Sequence, residues 1–317
     1  MWGIVATFSA LAPVAAAQEG YPSSPLRMVV GFPPGGTVDV VSRLLAQKLT
    51  KQLSVNIFVD NKPGASGNIA AEVVAGARPD GYTVLVNTPA VVLSVAFGEK
   101  LGYDLMKDLT PTAMISSVPY LIVTHPSMPV NTPAEFISHI KTNPDKTSYG
   151  SGGTGSTTHL GPLLFLLANG LSAVHVPYKG GVPAMNDVVG GRIEFSLQSM
   201  PAVLPLAKDK RIKVIAMTGL TRSPLLSDVP TLAESVMPGF EISTWNGVMA
   251  PARTPATIIR RLNAEIVKAL QDVDMKQRLE QESATASSSS PEEYGAYLRS
   301  ELARWSKVVK TTGVKLE

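Results

Sequence analysis

Residues 148–161 read SYGSGGTGSTTHLG, and within them Gly150, Gly152 and Gly155 spell G-x-G-x-x-G. A short β-prone run precedes them and a leucine-rich helical segment, HLGPLLFLLANG, follows. A glycine loop that opens a helix gathers backbone N–H groups at the positive end of the helix dipole, which suits an anion. Two phosphate chemistries can be tested on spacing. A dinucleotide site needs an acidic residue at the end of the next strand, about twenty residues on, for the ribose hydroxyl. That strand ends HVPYKGG, offering Tyr178 and Lys179, and the first acid after it is Asp187, inside the next helix. A triphosphate loop needs Gly-Lys-Ser/Thr, which does not follow. What is left is a cradle of amides with the hydroxyls of Ser151, Thr154, Ser156 and Thr157, fit for a small anion bearing carboxylates.

A second turn of this kind, FPPGGTVD at residues 32–39, also lies between a strand and a helix. In a parallel sheet the strand C-termini and helix N-termini share one edge, so two lobes facing each other across a hinge would point both loops into one cleft. Either loop alone reads equally well as a tight turn whose glycines relieve steric strain. Their recurrence in equivalent positions favours binding. A charge-assisted hydrogen bond contributes about 1.5–3 kcal/mol, and a helix terminus adds up to about 2. Four or five donors, two helix ends and lobe closure therefore reach the roughly 8 kcal/mol of a micromolar complex after ordering costs, without an arginine.

The elements that must position these loops alternate along the chain. LRMVVGF, VNIFVDN and YTVLVNT read as strands, and the segments after them carry helical spacing, as in Val40, Val41, Leu44, Leu45 and Leu49. The pattern resumes with TPAEFISHIKTNP, whose Thr132 and Glu135 form a T-x-x-E capping box. Continuous apolar strands between amphipathic helices indicate sheets covered on both faces. Residues 112–126 and 240–251 are extended stretches too long for one buried strand of five or six residues, and read as crossovers between lobes. The predicted architecture is α/β. It has two lobes, each a mixed, mostly parallel sheet flanked by helices, joined by two hinge strands. Residues 25–120 and 245–317 form a discontinuous first lobe and residues 121–244 the second.

Composition narrows the function. Charged residues are 17% of the 317, the net charge is +3, and the basic residues are scattered without interleaved aromatics, so no nucleic-acid partner is expected. Cysteine is absent, which excludes disulfides, thiolate metal sites and a cysteine nucleophile. His125, His139 and His175 lack metal-ligand spacing, and neither G-x-S-x-G nor H-E-x-x-H occurs. No metal, cofactor or enzyme activity is expected. The first twenty residues are apolar to Ala17 and turn polar at Gln18, with a small-x-small Ala15-x-Ala17. Residues 1–17 read as an export signal cleaved near Ala17–Gln18, although its basic start is missing.

Here the residues meet a known family. VVGFPPGGTVDVVSRLLAQKL, VDNKPGASGNIAAEVVAGARPDGYTVLV, YGSGGTGSTTHL, VHVPYKGGVPAMNDVVGG, DVPTLAE and STWNGVMAPARTPATIIRRLNAEI occur in order from about Leu26 onward. They resemble successive blocks of the substrate-binding receptors of tripartite tricarboxylate transporters, the Bug family. The resemblance implies a hinged, type II-like periplasmic-binding-protein fold. It also implies capture of a di- or tricarboxylate or an aromatic acid in the periplasm, by a monomer, for delivery to membrane permease subunits. The family's grip on the ligand carries over to Pro34, Gly35, Gly36, Thr37 and Asp39 in the first lobe. In the second it carries over to Gly153, Thr154, Ser156, Thr157 and His159. Three departures stand out: Gln198 where the family often has an acid, Asn246 where it often has an aromatic, and GSGGTG in place of SSGNG. The ligand's identity therefore does not transfer.

Other candidates carry competing readings. His159 is either a ligand donor or a cap, and Asp39 reads more as a helix cap than as a contact. Tyr178 ends a strand near the cleft, and Lys179 would supply a positive charge there. Asn87, Gln198 and Asn246 are placed to read the distal end of a ligand, whereas Trp245 reads as core. A sensory receptor with the same ligand chemistry, serving a membrane kinase, is the alternative function; a hydrolase or lyase on the same fold is the third.

Overall fold

The computed structural model describes residues 20–144 and 146–314; the expected export segment, residues 1–17, lies outside the described residues. Three apolar strands, β1 (Leu26–Val30), β2 (Ile57–Asn61) and β3 (Thr83–Asn87), pair in parallel with β1 in the middle. Each leads into a helix: α1 (Thr37–Leu53) after β1, α2 (Asn68–Ala75) after β2 by way of a 3-10 turn at Ala65–Gly67, and α3 (Pro89–Ala96) after β3. Val41, Leu45 and Leu49 of α1 recur four apart and are buried, the apolar stripe of a sheet-covering helix. Thr88 starts α3 by accepting the Ala90 N–H at 3.3 Å, with Pro89 in the first turn where a missing N–H costs least.

β4 (Leu109–Thr124) then runs for 16 residues through two sheets. Up to Pro119 it pairs antiparallel with β9 (Ser243–Pro251), and from Tyr120 on it lies between two strands of the second sheet. The chain between these strands forms α4 (Pro133–Thr142), β5 (Ser148–Ser151), α5 (Thr157–Ala168), β6 (Val174–Pro177) and α6 (Gly181–Val189). It continues as β7 (Phe195–Ser199), α7 (Met200–Lys208), β8 (Lys213–Met217) and α8 (Leu232–Ser235). β7 and β8 flank β4, and β5 pairs in parallel with β6 and β7. After β9 the chain returns to the first sheet as α9 (Ala256–Gln271), α10 (Val273–Gln281), the two-residue β10 (Thr285–Ala286) against β4, and α11 (Pro291–Thr312). The fold is the mixed α/β arrangement read from the sequence.

Two caps show the local rules at work. Ser290 and Glu293 close a reciprocal capping box at the start of α11. The box expected at α4 closes one residue early: Thr132 accepts the Glu135 N–H at 3.2 Å, but the Glu135 carboxylate takes the N–H of Asn131 at 2.7 Å.

Strand directions decide where the loops go. β9 is antiparallel to β3, with Asn87 opposite Gly247, and β4 is antiparallel to β9, with Pro119 opposite Ser243. β4 therefore runs with β3 and leaves the first sheet at the edge where β1, β2 and β3 end. β7 runs against β4, with Ser199 opposite Tyr120, and β5 and β6 run with β7. The carboxyl ends of β5, β6 and β7 thus point back toward the first sheet, and the two sets of strand-to-helix loops face each other.

The apolar cores follow this division but meet in one place. Leu160 of α5 is buried in the same cluster as Leu85, Trp245 and Tyr294 of the first sheet and its helices. Tyr294 is fully buried, and its hydroxyl donates to Asn87 Oδ1 at 2.9 Å. Gly247, opposite Asn87, lies beneath that ring, and a methyl built on it would overlap the phenol. Gly247→Ala should therefore destabilise the protein by roughly 1–3 kcal/mol through overpacking. Urea denaturation would register this as a lower midpoint, and an unchanged midpoint would contradict the close contact.

Candidate functional site

The glycine loop follows β5. Gly153 and Gly155 take φ of 126° and 79°, conformations that residues with a Cβ adopt only at a cost. Much of the loop's donor capacity is spent internally. Gly152 N–H donates to Thr158 Oγ1 at 2.8 Å, Gly153 N–H to Ser151 Oγ at 3.1 Å and Gly155 N–H to His159 Nδ1 at 3.0 Å. Ser156 Oγ donates to the Gly153 carbonyl at 2.7 Å and caps α5 by accepting the His159 N–H at 3.2 Å. The N–H groups still offered to a guest are those of Thr157 and Thr158, in the first turn of α5, which have no acceptor within the helix. The helix dipole adds partial positive charge at the same point.

Between the facing edges lies a cavity of about 420 Å³, within the range of small-molecule sites. Thr154, Gly155, Ser156, Thr157 and Thr158 line it from the second sheet's side. The opposite wall is Ser66 and one face of α3, namely Ala90, Leu93 and Ser94, continued by Phe97 and Glu99. Tyr120, at the point where β4 passes between sheets, also lines it. Burial raises the Tyr120 phenol's pKa, while hydrogen bonding with Thr157 and Thr244 works the other way.

The structure thus brings Thr154, Ser156 and Thr157 together with a wall that the sequence reading misses. The signals for that wall are present. Thr88-Pro89 is a helix start, and Ala90, Leu93, Ser94 and Phe97 recur at i, i+3, i+4 and i+7.

The other turn, Pro34, Gly35, Gly36 and Thr37, is exposed on the same edge but outside the lining of this cavity. Gly36, not Asp39, occupies the N-cap of α1. The buried Asp39 closes the turn instead, accepting from Gly35 N–H at 2.9 Å, Arg43 Nε at 2.9 Å and Asn61 Nδ2 at 2.8 Å. Burial alone would raise its pKa, but the bonds from Arg43, Gly35 and Asn61 outweigh that and hold the carboxyl below the usual range.

The distal candidates bond to groups of the protein itself, although Asn246 Oδ1 is buried without a hydrogen-bond partner. Asn87 is buried between Tyr294 and the Met249 sulfur, to which its Nδ2 donates at 3.1 Å. Gln198 donates to the Gly181 carbonyl and to Ser196 Oγ, both at 3.2 Å. Asn246 donates to Ser116 Oγ at 2.9 Å, tying β9 to β4. Tyr178 donates to Asp187 at 2.6 Å, and burial together with that carboxylate pushes its phenol up to about 12. Lys179 is exposed. Trp245 is fully buried, edge-on to Tyr294 and Tyr297.

His159 sits beneath the loop, 5% exposed, its ring stacked on His175 at 3.8 Å and 7°. Tyr149 lies beside this pair, 5.0 Å from His175 and 6.3 Å from His159, and Ser151 Oγ lies 2.7 Å from His175 Nε2. Because Nδ1 accepts from Gly155, the proton of a neutral His159 is on Nε2. Burial, reinforced by His175, pushes its pKa down to about 4. That value lies below the free imidazole's ~6.5, so the unfolded chain takes up the proton first as pH falls. The stability from a neutral His159 is complete above about pH 6.5 and declines toward pH 4. Unfolding in urea at pH 7.5 and pH 5 should show a loss of about 2 kcal/mol, reduced in His159→Asn. Equal losses in both proteins would show that this ring does not carry the effect.

Among the described residues, no group of three or more His, Cys, Asp or Glu is placed to hold a metal ion. No described helix is long and apolar enough to cross a membrane.

Comparison with known proteins bears on the family and the fold. Residues 41–314 match the family described as tripartite tricarboxylate transporter family receptor, TctC. Protein BugT of Bordetella pertussis is 35% identical over 315 residues, covering 99% of this chain and 96% of the relative. A TctC solute-binding protein from Polaromonas, solved with no ligand, superposes with a TM-score of 0.84 at 29% identity, covering 92% of this chain and 99% of that one. An R. palustris protein solved with adipate gives 0.74 at 36% identity, covering 94% and 100%. The two-lobed α/β fold is that of these solute-binding proteins, and the chain belongs to the tripartite tricarboxylate transporter receptor family.

Proposed function

We propose that this chain is an exported, periplasmic solute-binding receptor. It captures a small carboxylate between its lobes and presents it, as a monomer, to the membrane permease subunits of a tripartite transporter. The observation that carries the reading is the cavity built from both sheets' carboxyl edges, with the first turn of α5 on one side and α3 on the other. The carboxylate accepts from the Thr157 and Thr158 amides, with Thr154 on the same wall. Binding is not followed by chemistry on this reading; the His159 imidazole is buried beneath the loop and accepts from the Gly155 amide.

Residues 25–120 and 245–317 move against residues 121–244 about the Pro119–Tyr120 junction, where β4 changes partners. Closure carries the exposed turn Pro34–Thr37, with the start of α1, over the bound guest. One comparison supports such freedom. The R. palustris protein is closer in sequence than the Polaromonas one yet overlaps less, as expected when lobes of one fold are set at different angles.

A thermal-shift screen of mono-, di-, tri- and aromatic carboxylates, followed by calorimetry, tests the reading. At least one acid should raise the melting temperature and be recovered unchanged by mass spectrometry. Replacing Thr154 and Thr157 together with leucine should weaken its binding tenfold or more while the circular dichroism spectrum stays native. Full affinity in that variant would remove the loop from the site, and turnover of the acid would replace the receptor by an enzyme.

A further inference from the structure

The cavity's two walls differ electrically. The second sheet's wall carries the Thr157 and Thr158 amides, on the positive end of α5. The opposite wall carries the C-terminal end of α3, which closes through Phe97 N–H to Leu93 O at 2.9 Å and Glu99 N–H to Ser94 O at 3.1 Å. That end of a helix carries partial negative charge. Glu99 adds a full one. Among the described residues that line the cavity, Glu99 is the charged one, and none of the ion pairs among the described residues engages it. Its neighbour Lys100 opens on an adjoining groove with Tyr103 and Leu302, and Glu99 stands on the rim between the two. On the same wall as Glu99, Ala90, Leu93 and Phe97 add apolar surface.

We propose, resting on the carboxylate reading above, that the guest has one carboxylate, a hydrocarbon middle and an ammonium or similar donor at its far end. Glu99 is then the specificity-determining residue that excludes a second carboxylate. A carboxylate on α5 leaves the rest of the molecule lying along α3, with its other end beside Glu99. Adipate, with a carboxylate at each end, would set a like charge against that side chain and against the α3 terminus. An ω-amino acid of the same length would set an ammonium there.

The test is calorimetric titration with matched series of four to eight carbons: the α,ω-dicarboxylate, the monocarboxylate and the ω-amino acid of each length. In the wild type the ω-amino acid should bind most tightly and the dicarboxylate most weakly at the preferred length. Glu99→Gln should narrow that ratio by roughly fivefold, the scale of an exposed charge pair. Raising the salt concentration should narrow it too, since the charge is solvent-accessible. Glu99→Lys should invert the order. Glu99 is exposed, so both variants should keep the wild-type melting temperature without ligand. A dicarboxylate that matches or beats its ω-amino partner in the wild type would overturn the inference, as would a ratio indifferent to Glu99→Gln. Binding of carboxylates with the wrong ranking defeats only this inference, whereas no binding by any carboxylate defeats the receptor reading beneath it.

Discussion

One uninterrupted strand governs the arrangement of the molecule. β4 is hydrogen-bonded in the first sheet up to Pro119 and in the second from Tyr120, so a single run of backbone sets both the distance and the direction between the sheets. Because its partners are antiparallel in both sheets, the parallel strands on either side are forced to end toward each other. A crossover of the opposite sense would send the α5 and α3 ends to opposite outer surfaces. The cavity follows from strand direction before any side chain is considered.

What the side chains add is preparation. The glycine loop satisfies its own amides with Ser151, Thr158 and His159, and so holds its shape without a guest. An ordered loop spares a ligand the entropy of organising it, which is where weak donors gain their effect. Beneath the loop, the imidazole of His159, kept neutral by burial, stacks on that of His175 and supplies rigidity. Asp39 plays a similar part in the other turn, holding Gly35, Arg43 and Asn61 at once.

Some of this is legible in the sequence and some is not, for physical reasons. The alternation of apolar runs and helical spacing announces the α/β class, and the long extended stretch at 112–126 marks β4, because no ordinary strand needs so many residues. G-x-G-x-x-G marks the loop. Its spacing does not reveal how many of its amides are spent on Thr158 and His159, which depends on where side chains six and four residues away return. The wall from α3 is announced only by Thr88-Pro89 and a short apolar stripe that buried helices share. Asn87 and Gln198 sit at strand ends where polar side chains suit a cleft, and Asn246 lies within β9. Their actual partners, Tyr294, Gly181 and Ser116, come from up to 207 residues away, beyond the reach of local pattern.

The shared apolar cluster has a mechanical meaning. α5 touches the cavity with its first turn, and three residues later Leu160 is wedged against Trp245 and its neighbours on the other sheet. Beyond that contact Phe165 and Leu166 are buried in the second sheet's own core, so the helix joins the anion end, the seam between the cores and the second sheet as one rigid piece.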